Sequence, residues 1–277
     1  MWSHLERGSS PIDWCESNYS ITPMIAEFVN TVSSNTYFSL FCKNIFNNFL
    51  FFLFPPVLMH LFQEYSKSVN PAINILWVLL MVIGLSSAYF HATLSLVGQL
   101  LDELAILWLF MAAFAMFLPK RYFPRFIKGN RRVLGIYSCV ISVVSTGLLV
   151  MQPAANAFVL MTLAVPAIGF LFDEMSRVQC ARVYRLGLRC TAVWFLAVMS
   201  WIIDRMFCDA WLYIDFPYMH GVWHILICIA SYTALVLFAY FHVKEERPEH
   251  TPILRYWPKN EFELGIPFIT VNCKKKL

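Results

Sequence analysis

Seven long apolar runs, separated by polar or basic stretches, limit what this chain can fold into more than any other feature of its sequence. A helix needs ~20 mostly apolar residues to cross the hydrocarbon core of a membrane. The runs cover roughly residues 37–62, 72–92, 99–118, 132–150, 155–173, 187–207 and 219–241. Charged residues make up 14% of the chain, whereas a soluble domain carries roughly 25%. We therefore expect an all-α integral membrane protein, a single domain over residues 1–277 folded as a bundle of seven transmembrane helices.

The ends of the chain and the first apolar run differ from this regular pattern. Residues 1–36 form a polar, acid-containing lead-in, and residues 242–277 form a polar tail. The lead-in lacks the apolar segment of a signal peptide, so we expect no cleavable leader. Lys43 and several asparagines interrupt the first run. Its helix is therefore expected mainly over residues 49–62, after a stretch at the membrane interface.

The positions of the basic residues give the predicted bundle an orientation. Most of the 21 Lys and Arg residues lie in the loops after the first, third and fifth runs and in the tail. Cytoplasmic loops of membrane proteins are enriched in these residues. The N-terminus is therefore predicted to be lumenal and the C-terminus cytosolic. The net charge of +4 does not indicate nucleic-acid binding, because the basic residues lie between apolar runs.

Three histidines lie at the predicted lumenal ends of their helices. His220 and His224 are four residues apart and share one helix face. This spacing occurs in many zinc sites, although two histidines also reach it by chance. His91 ends the second run, where an ionisable residue is costly and usually functional. Three histidines with a fourth position open to water form the arrangement of a catalytic zinc site.

Ser87 and Asp102 are the other candidates for the same centre. Ser87 precedes His91 by one helical turn, and Asp102 opens the next helix after a short loop. A carboxylate there is able to hold an activated water and accept its proton. Each residue also has a structural interpretation: Ser87 as a small packing residue, and Asp102 as a charge that favours a helix N-terminus, a role that Glu103 fits better.

The lead-in contains a second group of possible metal ligands. The group consists of Asp13, Trp14, Glu16 and Asn18, with Glu27 further along, and it offers carboxylate and amide oxygens in alternation. Oxygen ligands of this kind suit a hard cation such as Ca²⁺, although no glycine stands where an EF-hand loop requires one. Spacing alone favours a solvated acidic loop over a calcium site.

Four short motifs contain these candidate residues, except Ser87, which lies just before the second motif. The first is Asp13-Trp14-Cys15-Glu16-Ser17-Asn18 followed by Ala26-Glu27-Phe28, and the second is Tyr89-Phe90-His91-Ala92-Thr93-Leu94-Ser95 followed by Gln99-Leu100-Leu101-Asp102-Glu103-Leu104. The others are Trp201-Ile202-Ile203-Asp204-Arg205 with Cys208, and His220 with Trp223-His224-Ile225-Leu226. In this order, along nearly the whole chain, they resemble the motifs of the alkaline ceramidases, most closely of types 2 and 1.

The resemblance implies a function and a role for each candidate. It implies a seven-helix membrane enzyme that hydrolyses the amide of ceramide, a membrane lipid, to sphingosine and a free fatty acid. The implied zinc ligands are His91, His220 and His224, and the implied catalytic pair is Ser87 and Asp102. The implied calcium ligands are Asp13, Trp14 through its carbonyl, Glu16, Asn18 and Glu27, which reverses the preference for a solvated loop. No obligate protein partner is implied.

One segment departs from the family pattern. Family members pass from an Asn-Thr-x-Ser motif almost directly into the first helix, whereas about a dozen residues, roughly Asn35–Asn48, are interposed here. No motif residue is disturbed. The entry and length of the first helix are the features that this insertion affects.

Other classes of protein stay open at this point. Relatives of the adiponectin receptors share the Ser, His, Asp and paired-His pattern, but they have the opposite orientation. A proton-coupled transporter using Asp102, Glu103 and the histidines is another alternative, although the sequence shows no inverted repeat. A G-protein-coupled receptor is disfavoured because Asp204-Arg205 lies in the sixth run, on the predicted lumenal side.

The compartment and a cysteine pairing are the last expectations. Resemblance to type 2 members indicates the Golgi, whereas the ending Lys274-Lys275-Lys276-Leu277 is typical of a cytosolic retrieval signal toward the endoplasmic reticulum. None of the 8 cysteines forms a CxxC pair. Only Cys15 and Cys208 fall in predicted lumenal segments, where disulfides persist. We predict a disulfide between them, with two unpaired thiols as the alternative.

Overall fold

The computed structural model describes residues 3–35 and 57–273. Its α-helices are α1 (Phe28–Asn35), α2 (Gln63–Ser68), α3 (Ile73–Thr93), α4 (Leu96–Phe117), α5 (Arg131–Met151), α6 (Asn156–Ser176), α7 (Ala181–Met206), α8 (Cys208–Tyr213) and α9 (Met219–Glu246). Two strands follow, β1 (His250–Trp257) and β2 (Ile266–Cys273). Most of the first predicted run (37–62), the interposed segment after Asn35 and the ending Lys274–Leu277 lie outside the described residues.

Six helices in the described part of the chain are long and apolar enough to cross a membrane: α3, α4, α5, α6, α7 and α9. They coincide with the second to seventh predicted runs, although α7 begins earlier, at Ala181, and α9 continues to Glu246. The chain is therefore a helical membrane protein. The seventh span and the orientation of the termini stay predictions.

The tail corrects the expectation of an all-α chain. Strands β1 and β2 pair antiparallel, with His250 opposite Cys273. Leu254 and Tyr256 are buried, whereas Arg255 between them is exposed. This alternation with a period of two is the pattern of a half-buried strand. It is short and lies within a polar segment, which is why the tail was not predicted to contain a sheet.

The described chain divides into two compact units. One contains the N-terminal segment, Leu80–Ile106 and Thr191–Ser231, and the other contains residues 57–79, Leu107–Cys190 and the chain from Tyr232 onward. Every candidate site residue belongs to the first unit.

A short aromatic cluster and one carboxylate organise the second unit. The Trp77 ring lies 4.8 Å from Phe62 and 5.8 Å from Tyr232, measured between ring centroids. The Tyr232 hydroxyl donates to the Pro267 carbonyl of β2 at 2.6 Å. The loop between the strands carries Glu263, whose carboxylate forms ion pairs with three residues on one face of α7, Arg182, Arg185 and Arg189, at 3.3, 2.6 and 3.2 Å. The hydrogen bond from Arg185 holds the pKa of the Glu263 carboxyl below its ordinary value.

In the first unit, the lead-in runs along the end of α3. The backbone N–H of Gly8 donates to the Thr93 carbonyl at 3.0 Å, and that of Glu27 donates to the His91 carbonyl at 3.0 Å. The last carbonyls of a helix have no partner within it. The lead-in therefore supplies the donors that α3 lacks at the helical turn that carries His91.

A two-residue connection joins α3 to α4. Leu94 adopts a left-handed conformation with φ of 48°, and the Ser95 hydroxyl accepts from the Gly98 N–H at 3.1 Å, which caps α4. A Cβ atom at Gly98 would lie 2.9 Å from the Cα atom of Phe90, so only glycine permits this approach. The close connection brings the start of α4, with Asp102, next to the end of α3.

Candidate metal centre

Three histidine side chains are buried together in the first unit. His91, His220 and His224 are 0%, 2% and 3% exposed. One possible ligand atom from each lies within 4.8 Å of the others. No other group of three His, Cys, Asp or Glu residues meets this condition within residues 3–35 and 57–273. The structure thus brings together the three histidines that the sequence singles out.

The nitrogen atoms of these rings fit a zinc ion. His91 Nε2, His220 Nδ1 and His224 Nε2 are buried and have no hydrogen-bond partner in the described chain. Buried polar atoms normally have a partner, so three orphaned acceptors in one place need an explanation. In a tetrahedral zinc site, Zn–N distances of 2.0–2.1 Å place the nitrogens about 3.4 Å apart. The present atoms lie within 4.8 Å of one another, an upper limit that is about 1.4 Å above that spacing.

The opposite nitrogens of two rings are held by hydrogen bonds. His91 Nδ1 lies 2.5 Å from the Glu27 Oε2 atom. His224 Nδ1 lies 2.9 Å from the Ser33 hydroxyl and 3.2 Å from the Ser34 hydroxyl. A partner on one nitrogen fixes the ring's orientation and tautomer, and leaves the other nitrogen for a metal. Both rings therefore present Nε2 toward the shared centre.

A glycine in α9 permits the contact between His224 and the serines. A Cβ atom at Gly221 would lie 3.2 Å from the Ser33 hydroxyl oxygen and 3.5 Å from the Asn30 side-chain oxygen. Helix α1 therefore approaches α9 at a residue without a side chain. Ser33 and Ser34 were not among the predicted site residues. The available signal was the Asn-Thr-x-Ser motif, Asn30-Thr31-Val32-Ser33, which Ser34 directly follows.

Ser87 and Asp102 meet beside the histidines. Both side chains are buried, at 5% and 9% exposed, and the Ser87 side chain lies close enough to the Asp102 carboxylate to interact with it. The Ser87 and Ser34 hydroxyls are 3.1 Å apart, so Ser34 connects Ser87 to His224. Glu103 instead accepts from the Gln99 side chain at 3.1 Å. Of the two neighbouring acids, Asp102 is the one next to Ser87.

Four of the five predicted calcium ligands form contacts with one another in the lead-in. The Asp13 carboxylate accepts from the Asn18 side-chain amide at 3.1 and 3.2 Å. The Glu27 Oε1 atom accepts from the Trp14 backbone N–H at 3.1 Å. Burial raises the pKa of the Glu27 carboxyl to about 8, and a nearby divalent cation would favour its ionised form.

Glu16, the fifth predicted ligand, caps a helix. Its two carboxylate oxygens accept from the backbone N–H groups of Val29 at 2.6 Å and Asn30 at 2.8 Å. These groups belong to the first turn of α1, which has no internal acceptors for them. Burial raises the pKa of the Glu16 carboxyl. Each oxygen keeps a second lone pair, so capping is compatible with ligation of a cation.

The sulfur atoms of Cys15 and Cys208 are bonded to each other in the structure, at 2.14 Å with Cα atoms 5.4 Å apart. The bridge joins the lead-in, between its acidic residues, to the start of α8.

Comparison with known proteins decides the family. The family model described as Ceramidase matches residues 6–270. The chain belongs to the ceramidase family. It is 57% identical over 271 residues to a Drosophila melanogaster protein named alkaline ceramidase, covering 98% of this chain and 91% of that one. It is 37% identical over 268 residues to human alkaline ceramidase 1, covering 97% and 96%, and 30% identical over 277 residues to the Caenorhabditis elegans alkaline ceramidase, covering 98% and 96%.

Membership of the ceramidase family confirms the resemblance drawn from the four motifs. The match covers the histidine cluster, the described lead-in from residue 6 onward and the whole of α9. The adiponectin-receptor alternative has no support from these comparisons. The candidate site of this ceramidase-family chain therefore consists of the three buried histidines with Ser87 and Asp102.

Proposed function

We propose that this chain hydrolyses the amide bond of ceramide to sphingosine and a free fatty acid, in a zinc-dependent reaction inside the membrane. The cluster of three buried histidines with orphaned nitrogens carries the proposal. Relatives named alkaline ceramidases supply the substrate class. Six apolar helices suit a substrate with two hydrocarbon chains, because they place the site within the membrane that also contains the lipid.

His91, His220 and His224 would hold the zinc ion. When bound, zinc polarises a carbonyl as a Lewis acid and lowers the pKa of a coordinated water. The chain's own residues would hold that ion on neutral imidazole nitrogens, with Glu27 and the two serines keeping His91 and His224 in the required orientation.

Asp102 and Ser87 would perform the proton and charge steps. Hydrolysis of an amide removes a proton from the attacking water and delivers one to the leaving nitrogen. Asp102, a buried carboxylate, would accept the first proton and donate it in the second step. Ser87 would donate a hydrogen bond to the oxyanion that forms when water adds to the carbonyl. The burial of both side chains and their proximity support these two roles.

The lead-in would bind a structural or regulatory Ca²⁺ through Asp13, the Trp14 carbonyl, Glu16, Asn18 and Glu27. The contacts between Asp13 and Asn18 and between Trp14 and Glu27 support a shared site. Because Glu27 also contacts His91, a bound cation that orders this segment would also help to hold the His91 ring in place.

The membrane placement completes the proposal. Seven spans, with a lumenal N-terminus and a cytosolic C-terminus, account for the basic loops and for a disulfide between Cys15 and Cys208. The compartment would be the Golgi or the endoplasmic reticulum, because both are supported by features of the sequence and both expose a lumenal side.

Purified protein incubated with fluorescent ceramide tests the activity. We expect release of fatty acid and sphingosine by the wild type, and loss of both turnover and bound zinc in the Ala variants of His91, His220 and His224. His242→Ala is the matched control, since His242 is also buried and also on α9. No product from zinc-loaded wild type would favour a receptor or transporter. Full zinc in His220→Ala would remove this metal site.

A further inference from the structure

Asp204 is a buried carboxylate for which the proposed reaction has no use. It lies near the end of α7 and is 0% exposed. Its Oδ1 atom accepts from the backbone N–H of His220 at 3.0 Å. Its Oδ2 atom accepts from the backbone N–H of Cys15 at 3.2 Å. One side chain thus connects three segments that are distant in sequence: α7, the lead-in and α9.

The bond to His220 is made where a helix needs it. His220 is the second residue of α9, which begins at Met219. The first N–H groups of a helix have no acceptor within it, and a negative charge is favourable at this end. Asp204 supplies both the acceptor and the charge, from outside α9. The backbone of His220 is therefore fixed to α7.

The His220 ring is held differently from the other two rings. His91 and His224 each have a side-chain partner on the nitrogen opposite the proposed metal-facing one, whereas neither ring nitrogen of His220 has a side-chain hydrogen-bond partner within the described residues. The His220 ring instead lies nearly parallel to the Trp14 ring, with centroids 3.6 Å apart and an angle of 14°. Trp14 precedes Cys15, the second residue that Asp204 holds.

Asp204 supports both of the interactions that hold His220: the hydrogen bond to its backbone and the stacking on its ring. Its Oδ1 atom sets the position of the His220 backbone, and its Oδ2 atom sets the position of the segment that supplies the stacked indole. Arg205, the next residue, lies over the same indole at 5.1 Å from its centroid. Two adjacent residues at the end of α7, Asp204 and Arg205, therefore contact the segments that carry the stacked His220 and Trp14 rings.

We propose that Asp204 is a positioning residue that fixes His220 as a metal ligand, by holding the His220 backbone and the Trp14-bearing segment at once. This inference rests on the proposed zinc site. It gives Asp204, the buried acid of the Trp201–Arg205 motif, a role in the affinity for the metal ion, without contact to the substrate.

Asp204→Asn is the informative variant. Its carboxamide has one acceptor oxygen and places an NH₂ group toward the other backbone N–H, so one of the two bonds is lost with little change in volume. Loss of an outer partner of a metal ligand typically weakens metal binding about 10–100-fold. We expect the zinc dissociation constant to rise by that factor, the visible spectrum of the Co²⁺-substituted protein to change, and excess zinc to restore much of the turnover.

Asn130→Ala is the matched control for a general loss of helix capping. The Asn130 side chain also accepts from two backbone N–H groups at a helix start, those of Arg132 and Val133 in α5. That helix carries none of the proposed ligands. We expect a lower melting temperature with unchanged zinc affinity and an unchanged Co²⁺ spectrum. A structural role alone for Asp204 would give the same result in Asp204→Asn.

Wild-type zinc affinity in folded Asp204→Asn would overturn the inference. If that variant does not fold, hydrogen exchange of the wild-type protein decides: the His220 amide is expected to exchange slowly despite its place in the first helical turn, and rapid exchange would refute its bond to Asp204. A wild type that binds no zinc would instead refute the proposed metal site itself.

Discussion

Breaking the Cys15–Cys208 disulfide is expected to destabilise the protein strongly. The two residues are separated by 193 positions in the chain. In the chain-entropy model, a cross-link that closes a loop of this length contributes about 5 kcal/mol. That figure is an upper bound here, because helices that stay in the membrane already restrict the unfolded chain. The bridge also anchors the segment whose Cys15 N–H is bound by Asp204.

Three variants, Cys15→Ala, Cys208→Ala and the double substitution, give a sharp design. Each removes the same bond, so we expect three similar losses of free energy of unfolding instead of an additive double variant. Thermal or denaturant unfolding in detergent measures these losses. Cys139→Ala is the control, since Cys139 is an exposed free thiol. A reductant should lower the melting temperature of the wild type and leave that of the double variant unchanged.

Peptide mapping without reduction tests the bond directly. Alkylation of Cys15 in unreduced, active protein would show that the bridge is absent. A double variant with the summed losses of the two single variants would show that each cysteine acts alone.

Three further predictions concern the acids. Asp102→Asn should keep its zinc and lose about 10²–10⁴-fold in turnover, whereas Glu103→Gln should stay near wild type; near-normal turnover in the former would show that the proton moves elsewhere. Ca²⁺ at about 100 times its Kd should raise the free energy of unfolding by about 2.7 kcal/mol, and Asp13→Asn should weaken this effect. Verified removal of calcium without any change in stability or activity would contradict the calcium site. Glu263→Gln should speed proteolysis of the β1–β2 hairpin. Because Arg185 lowers the pKa of Glu263, protection of the wild-type hairpin should persist above the ordinary carboxyl pKa and be lost as the pH drops through the lowered pKa of Glu263. Equal cleavage of variant and wild type at neutral pH would refute this.

Local features of the fold were accessible from the sequence. Each of the six long helices is apolar over a length that a membrane requires, so the pattern is visible in the sequence alone. The pairing of His220 with His224 follows from helix geometry. His91 stood out because an ionisable group in an apolar run is costly, and Asp102 because it opens the next helix after a short loop. Spacing and the cost of burying an ionisable group therefore singled out the three histidines, whereas the roles of Ser87 and Asp102 came from the resemblance to the alkaline ceramidases.

Contacts between distant segments were not accessible in the same way. Ser33 and His224 are 191 residues apart in sequence, and their hydrogen bond depends on the approach of α1 to Gly221. Asp204 was noted only as part of a motif, because its two acceptors meet backbone N–H groups of segments that no spacing rule connects. The β-hairpin was missed for a different reason: each strand is only 8 residues long, and both lie within a tail that is polar as a whole.

Zinc removal and replacement in one preparation is the most direct test of the central claim. Purified wild-type protein is assayed for release of sphingosine and fatty acid from ceramide, with metal content measured on the same sample, before chelation, after chelation and after zinc is added back. We predict about one zinc per chain at the start, as a site of three histidines and one open position would hold, loss of product release with loss of zinc, and recovery of both together. Undiminished ceramide hydrolysis by protein shown to be free of zinc would contradict the account.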